Sequence, residues 1–419
     1  MNSPKKINQQ KITFLEKEYN AYLENPMNLN ITRGIPSETQ LSLSEPMLGL
    51  LNKSEDFLSK GSIDIRNYGE LTGILEAKKL FSDILEVETK EIIVGGNSSL
   101  SLMYLVLITK LFMGSTPWKL EAPIKFLCPS PGYDRHFTMT KKLGIEMIPV
   151  EMDEDGPDMN EVERLVSQDA TIKGIWCVPT YSNPTGIIYS DEVVDRLAKM
   201  DTKASEFTIM WDNAYVVHHL TEDKKVAKNI LTACKKAGYP ERPWMFCSTS
   251  KITFPGAGVS ALAASEKNIA LIANELSYQT IGYDKLNQMR HVKFLKNKDQ
   301  VAKHMEKHAA LLKPKFDLIQ KKLNERFKES DLLTWTDPKG GYFVHLTTMD
   351  GYATKIVESL DKIGVKVTKA GATYPNGNNP KDNSIRLAPT SVELTDLEKA
   401  MDAIGLCIEM VSLKESKNN

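Results

Sequence analysis

The sequence predicts an α/β chain in which a mostly parallel sheet, covered on both faces by helices, forms a large domain and a smaller α+β unit follows it. Three observations carry that prediction. From about residue 91 to residue 259, short apolar runs of strand length alternate with segments of helical period, the pattern of successive βαβ units. Several of those runs stop at clusters of polar, reactive side chains, which α/β sheets keep at the carboxyl ends of their strands. After about residue 296 the alternation gives way to a long charged helix, a short strand and further helix.

Taken in order, the first fifty residues carry Arg33-Gly34-Ile35-Pro36-Ser37 and precede the large-domain pattern, so they are expected to pack on the C-terminal unit. Residues 91–94 read as a strand, the loop Gly95-Gly96-Asn97-Ser98-Ser99 follows, and 100–112 read as an apolar helix. Residues 125–128 are the next strand and lead into Pro129-Ser130-Pro131-Gly132-Tyr133. The run 175–178 enters Ser182-Asn183-Pro184-Thr185-Gly186, a periodic helix spans 191–200, and the run 207–211 stops at Asp212-Asn213-Ala214-Tyr215. Residues 243–247 form a strand that delivers Ser248-Thr249-Ser250-Lys251 at its end. Beyond it come a helix over 298–327, a strand over 340–345, a helix over 353–363, a strand-like run from Ser384 to Thr390, and a last helix over 394–411 with a frayed polar tail from 414 to 419. The expected division is 1–50 as an N-terminal segment packing on the small domain, 51–295 as the large domain and 296–419 as the small domain.

Composition narrows the function. With 53 basic and 54 acidic side chains in 419 residues, the formal charge of −1 leaves no electrostatic footprint for nucleic acid. No stretch reaches the roughly 18 apolar residues of a membrane span, and the N-terminus, with Lys5, Lys6 and Lys11 among Asn and Gln, lacks a signal-peptide core, so a cytoplasmic protein is expected. The five cysteines show no paired spacing and read as packing residues, with neither disulfide nor metal expected. His304 and His308 are four apart, but Glu306 between them is not in the zinc-protease order, so they read as solvated helix residues.

Three strand ends thus supply a lysine, a carboxylate with a phenol, and an amide. That set matches what pyridoxal phosphate needs: a Schiff-base lysine, an acidic partner for the pyridine nitrogen, and donors to the ring oxygen. Lys251 alone would read as a surface lysine; its company at the strand ends changes that reading. Asp212 would face the pyridine nitrogen, or else cap a following helix. Tyr215 and Asn183 would donate to the ring oxygen, their plainer roles being a packed aromatic and a turn asparagine before proline. The loop at Gly96, Asn97 and Ser98 offers free backbone N–H groups and a helix dipole to a phosphate, although a tight turn with a serine cap explains it almost as well. Tyr133 would lie flat on the ring, with His136 hydrogen-bonded to Asp212 from behind. Arg386, in an apolar run, needs an anion: a substrate α-carboxylate held bidentately, or an internal salt bridge.

With these residues in order, the chain resembles the fold-type I pyridoxal-phosphate aminotransferases, and more closely the subgroup Ic aspartate aminotransferases. The matching stretches run from about residue 30 to residue 410. They include Thr32-Arg33-Gly34, Arg66-Asn67-Tyr68-Gly69, Pro131-Gly132-Tyr133-Asp134-Arg135-His136, Ser182 to Gly186, Trp211 to Tyr215, Ser248 to Gly258 and Ile385 to Thr390. The resemblance implies a seven-stranded sheet in the large domain and a homodimer with shared active sites. It implies Lys251 as the Schiff-base lysine, Asp212 as partner of the ring nitrogen, Tyr215 and Asn183 as donors to the ring oxygen, and Tyr133 as the stacking residue. Gly96, Asn97, Ser98, Ser248 and Ser250 would hold the phosphate, with Tyr68 reaching the phosphate of the neighbouring subunit.

One position departs from the family. Many members carry an arginine eight residues after the lysine, where this chain has Val259, which leaves Lys285 or Arg290 as substitute cations. The distal carboxylate of a dicarboxylic substrate would fall to Arg33, Lys285 or Arg290. The reaction implied is ping-pong transfer of an amino group from aspartate or glutamate to 2-oxoglutarate or oxaloacetate. Alternatives are transamination of aromatic or aminoadipate-like substrates, another reaction of the same cofactor, or the aminotransferase-like domain of a MocR-type transcription regulator without its DNA-binding part.

Overall fold

The structure is a computed structural model and describes residues 4–113, 117–121 and 123–418. Its main sheet runs in the spatial order Ile92–Val94, Ser260–Ala263, Pro243–Ser248, Thr208–Asp212, Ile172–Cys177, Lys125–Ser130, Glu146–Asp153 and the two-residue edge Gly156–Pro157. The four pairings from Pro243–Ser248 across to Glu146–Asp153 are parallel, while Ser260–Ala263 runs antiparallel to both its neighbours. Seven strands are therefore extended by a short eighth that hairpins back at one edge.

The strands are apolar on both sides because both sides are covered, as parallel sheets require. Their residues alternate between two cores: Ile175, Ile209, Trp211, Met245 and Cys247 point to one face, and Trp176, Met210, Trp244 and Phe246 to the other. Helices Leu75–Leu85, Asp191–Lys199 and Ile230–Ala237 close the first face, and Ser99–Phe112 and Glu266–Leu276 the second. Each fully buried side chain of this size stabilises by about 1.5–3 kcal/mol. Local signals set the helix ends: the Ser190 hydroxyl accepts from the Val193 amide at 3.2 Å, and Gly238, at φ +88°, ends Ile230–Ala237 in the left-handed conformation.

The C-terminal unit is an antiparallel sheet of Leu333–Trp335, Val344–Thr348 and Ser384–Leu387, packed under helices Lys298–Phe327, Ala353–Lys362 and Leu394–Asn418. The N-terminal segment lies on it. Helix Pro4–Glu24 sets Leu15 against Leu406 and Met410, the Tyr19 hydroxyl donates to the Ser359 carbonyl at 2.9 Å, and Leu29–Asn30 pairs parallel with Val365–Lys366.

Three expectations are corrected. The strand expected over 340–345 begins only at Val344, because Gly340 and Gly341 form a close turn against Tyr181. A Cβ on Gly340 would fall 2.2 Å from the Tyr181 ring, and Gly341 sits at φ +79°. The tail from Lys414 to Asn418 is helical and anchored by Lys414 on Glu16 at 2.9 Å, while residue 419 lies outside the described residues. His304 and His308 are buried rather than solvated, because their side of the Lys298–Phe327 helix faces the loop after Lys251.

Candidate active site

Because Ile172–Cys177, Thr208–Asp212 and Pro243–Ser248 are parallel neighbours in register, with Cys177 opposite Trp211 and Asp212 opposite Phe246, their carboxyl ends open side by side. Asp212 ends its strand, Tyr215 and Lys251 follow three residues after the ends of theirs and lie against one another, and Asn183 follows six residues after Cys177.

Asp212 is the last residue of its strand and is buried. Its Oδ2 lies 3.0 Å from His136 Nε2, and its buried Oδ1 has no hydrogen-bond partner among the described residues. No helix begins after Asp212 for it to cap. Behind it, the His136 ring stacks on Trp176 at 4.1 Å, and the Thr140 hydroxyl accepts from Trp176 Nε1 at 2.8 Å and donates to the His136 carbonyl at 2.7 Å. The imidazole is thereby locked and the carboxylate oriented. Tyr133 stands edge-on to His136 at 4.9 Å, and burial raises its phenol above the usual range.

Lys251 is half-buried, with its Nζ 4.9 Å from the centre of the Tyr215 ring. Burial lowers its amine below the ordinary lysine range, against a smaller upward pull from the Asp212 charge. Tyr215 is buried, and desolvation holds its phenol well above its ordinary value, so it stays a proton donor.

Around the loop 95–98, Ser260 donates its amide and hydroxyl to the Gly96 carbonyl at 2.7 and 2.8 Å, which turns the chain into the start of helix Ser99–Phe112. Ser98 is the N-cap residue but makes no side-chain cap, so the first amides of the helix stay open to an anion. Ser250 Oγ donates to the Asn97 carbonyl at 3.2 Å, and Ser248 Oγ lies 3.0 Å from Ser250 Oγ. Gly96, Asn97, Ser98, Ser248 and Ser250 therefore form one cradle beside Lys251.

Arg386 is buried in its strand with every N–H engaged. Nη1 donates to Asp134 Oδ1 at 3.2 Å and Asn183 Oδ1 at 3.1 Å, Nη2 to the Thr32 carbonyl at 3.3 Å and the Thr368 hydroxyl at 3.2 Å, and Nε to the same hydroxyl at 3.3 Å, while the guanidinium lies over Phe343. The internal salt bridge weighed from the sequence is present, and Asp134 is its partner. Asn183 gives its oxygen to Arg386, which leaves its Nδ2 to donate elsewhere. The signal for Asp134 was its place in the Tyr133-Asp134-Arg135-His136 string; nothing local in the sequence pointed to Trp176 or Thr368.

Other expected residues lie outside the cleft. Tyr68 is 79% exposed, and Val259 is buried. Lys285 is committed to the Gly69 carbonyl at 3.0 Å, and Arg290 Nε is buried without a partner. Arg33 is exposed and makes no ion pair among the described residues; with Arg135, Asp134 and Arg386 it lines a cavity of about 770 Å3. A larger cavity of about 920 Å3, lined by Trp211, Asn213, His219 and Met305, does not include Lys251, Asp212 or Tyr215, and its lysines, Lys224, Lys228, Lys298 and Lys313, are each ion-paired.

These residues fit pyridoxal phosphate. The orphaned Asp212 Oδ1 lacks one N–H donor, such as a protonated pyridine provides, and the cradle at Gly96 offers the amides and hydroxyls that a phosphate takes.

The family model described as aspartate amino-transferase matches residues 4–419. A putative aminotransferase of Mycolicibacterium smegmatis is 44% identical over 397 residues, covering 94% of this chain and 93% of its own. An aspartate aminotransferase of Corynebacterium glutamicum is 38% identical over 408 residues, covering 96% and 94%. The crystal structure of an aspartate transaminase from Corynebacterium glutamicum superposes with a TM-score of 0.95 at 37% identity, over 99% of this chain and 98% of that one.

Proposed function

Because this chain belongs to the aspartate aminotransferase family and is a pyridoxal-phosphate-dependent aminotransferase, we propose that its amino donor is aspartate or glutamate and its acceptor 2-oxoglutarate or oxaloacetate. The observation that carries the residue assignment is the pairing of a lowered Lys251 amine with an Asp212 carboxylate that has one oxygen tied to His136 and the other without a partner.

Pyridoxal phosphate supplies an aldehyde carbon for amines and a ring that draws electron density from the substrate's Cα. Lys251 would be the amine that holds the aldehyde, and as a free neutral amine it would accept the substrate's Cα proton and hand it back. Its amine has to be neutral to accept a proton, which is the direction burial drives it. Asp212 Oδ1 would accept from the pyridine nitrogen, with His136 holding the carboxylate in place. Tyr215, kept protonated by burial, and Asn183 Nδ2 would donate to the ring oxygen. Tyr133 would cover the ring.

The substrate's α-carboxylate would displace Asp134 from Nη1 of Arg386 and one acceptor, Thr32 or Thr368, from Nη2, and so form the bidentate pair that the guanidinium fork favours. Since Asn183 bonds Arg386 at 3.1 Å, the carboxylate site and the ring-oxygen site are linked through one amide. Arg33, which makes no ion pair among the described residues and lines the same cavity as Arg386, is assigned the distal carboxylate; Lys285, held by Gly69, is less suited to it. The large domain is assigned to 51–295 and the small one to 296–419, with 1–50 as its N-terminal partner. The exposed Tyr68 supports a homodimer in which it reaches the neighbouring phosphate. No helix among the described residues is long and apolar enough to cross a membrane.

A panel of amino donors with 2-oxoglutarate tests the substrate reading. Aspartate is expected to react with the highest kcat/KM; a clear preference for aromatic donors or for 2-aminoadipate would overturn it.

A further inference from the structure

The two peptide carbonyls at and after Lys251 are gripped by a buried network drawn from three distant parts of the chain. The Ile252 carbonyl accepts from His304 Nε2 at 2.8 Å and from His308 Nε2 at 3.0 Å, both on helix Lys298–Phe327. The Lys251 carbonyl accepts from the Tyr342 hydroxyl at 3.4 Å. Gln40 joins the two halves: its Nε2 donates to His308 Nδ1 and to the Tyr342 oxygen, each at 3.1 Å.

The direction of each bond follows from a helix cap. Gln40 is the third residue of helix Glu38–Ser42, and its Oε1 accepts from the Ser37 amide at 3.1 Å in a capping box. That use of the oxygen turns the Gln40 NH2 toward His308, which makes Nδ1 of His308 the acceptor and leaves its Nε2–H to donate to Ile252. Gln40, His304, His308 and Tyr342 are all buried, and burial keeps both imidazoles neutral, so each has a single N–H to give. None of the four bonds to the cradle at Gly96 or to Arg386; the Tyr342 ring packs against that of Tyr215 at 5.9 Å, and the reaction as described uses none of the four.

We propose that Gln40, His304, His308 and Tyr342 are positioning residues that clamp the main chain at Lys251 and Ile252, so that the lysine amine stays within reach of the substrate's Cα after it is displaced. The proposal rests on Lys251 being the cofactor-bearing lysine. A lysine released in every turnover has to return along the same short path, and a small displacement of its backbone lowers the effective concentration of the amine at both ends of it. The clamp also makes the N-terminal segment and the C-terminal unit part of the lysine's support, since Gln40 comes from the one and Tyr342 from the other.

The test compares holoenzymes of wild type, Tyr342→Phe, His308→Leu and His308→Gln for kcat, donor KM, and the pH midpoint at which the bound cofactor's absorbance changes. Tyr342→Phe removes one hydroxyl, and His308→Gln keeps a donor for the Ile252 carbonyl. In His308→Leu and Tyr342→Phe, kcat is expected to fall about tenfold or more with donor KM nearly constant, and the absorbance midpoint to shift. His308→Gln is expected to restore much of both. Folded His308→Leu and Tyr342→Phe holoenzymes with wild-type kcat and midpoint would overturn the clamp alone. A wild type whose cofactor sits on another lysine would overturn the clamp together with the assignment of Lys251.

Discussion

Arg386 shows how much one buried side chain constrains the chemistry. A guanidinium in an apolar strand needs an anion, and that need was legible from the run Ser384 to Thr390. Its identity was not, because Asp134 is 252 residues away and meets it only in the fold at 3.2 Å. Lysine at this position would lose the fork and its simultaneous bonds to Asn183, Thr368 and Thr32. Arg386→Lys is therefore expected to raise donor KM by about tenfold or more, the loss of one or more charge-assisted hydrogen bonds of about 1.5–3 kcal/mol, with a smaller effect on kcat. Steady-state kinetics with aspartate checks this, and an unchanged KM would count against the carboxylate role. Lys251, Asp212 and Asn183 were readable for a different reason: α/β sheets place reactive groups where apolar runs stop. His304 and His308 misled because the charged residues around them, Lys303, Glu306 and Lys307, hide a buried stripe four residues apart.

Among the elements, the strands of the main sheet stood out because continuous apolar runs mark strands covered on both faces, and the Lys298–Phe327 helix has the bounds expected of it. The Pro4–Glu24 helix was not legible, since it buries only a sparse series, Ile12 and Leu15 with Tyr19 and Tyr22 beside them, among many polar residues. What fixes its segment to the C-terminal unit is a backbone approach at Gly364. This residue has φ +81°, and a Cβ there would stand 1.6 Å from the Met27 carbonyl oxygen. Gly364→Ala is expected to separate residues 27–31 from 363–366 and to destabilise the protein by about 2 kcal/mol or more, through both the clash and the left-handed backbone. Thermal denaturation measures it; an unaltered Tm would show that this contact does not anchor the segment.

For the whole molecule, acid is the expected weakness. Burial lowers the imidazoles of His218, His219, His291, His304, His308 and His345, with His219, His291, His308 and His345 brought from the ordinary 6.5 to about 4. Unfolding returns each to its ordinary value, so between those limits the unfolded chain binds more protons than the folded one. Stability is accordingly full above pH 6.5 and is lost as the pH falls toward about 4, at up to about 1.4 kcal/mol per unit for each histidine. Urea titrations at about pH 7.5, above this range, and about pH 5, within it, should show the midpoint fall; equal midpoints would mean these rings do not carry the acid sensitivity.

The account as a whole depends on where the cofactor is attached. Reduction of the purified holoenzyme with borohydride, followed by peptide mass spectrometry, fixes the cofactor to whichever lysine bears it. The label is expected on the peptide containing Lys251 and absent from a Lys251→Ala variant. An unlabelled Lys251, or a label on another lysine, would contradict the site from which every step here is derived.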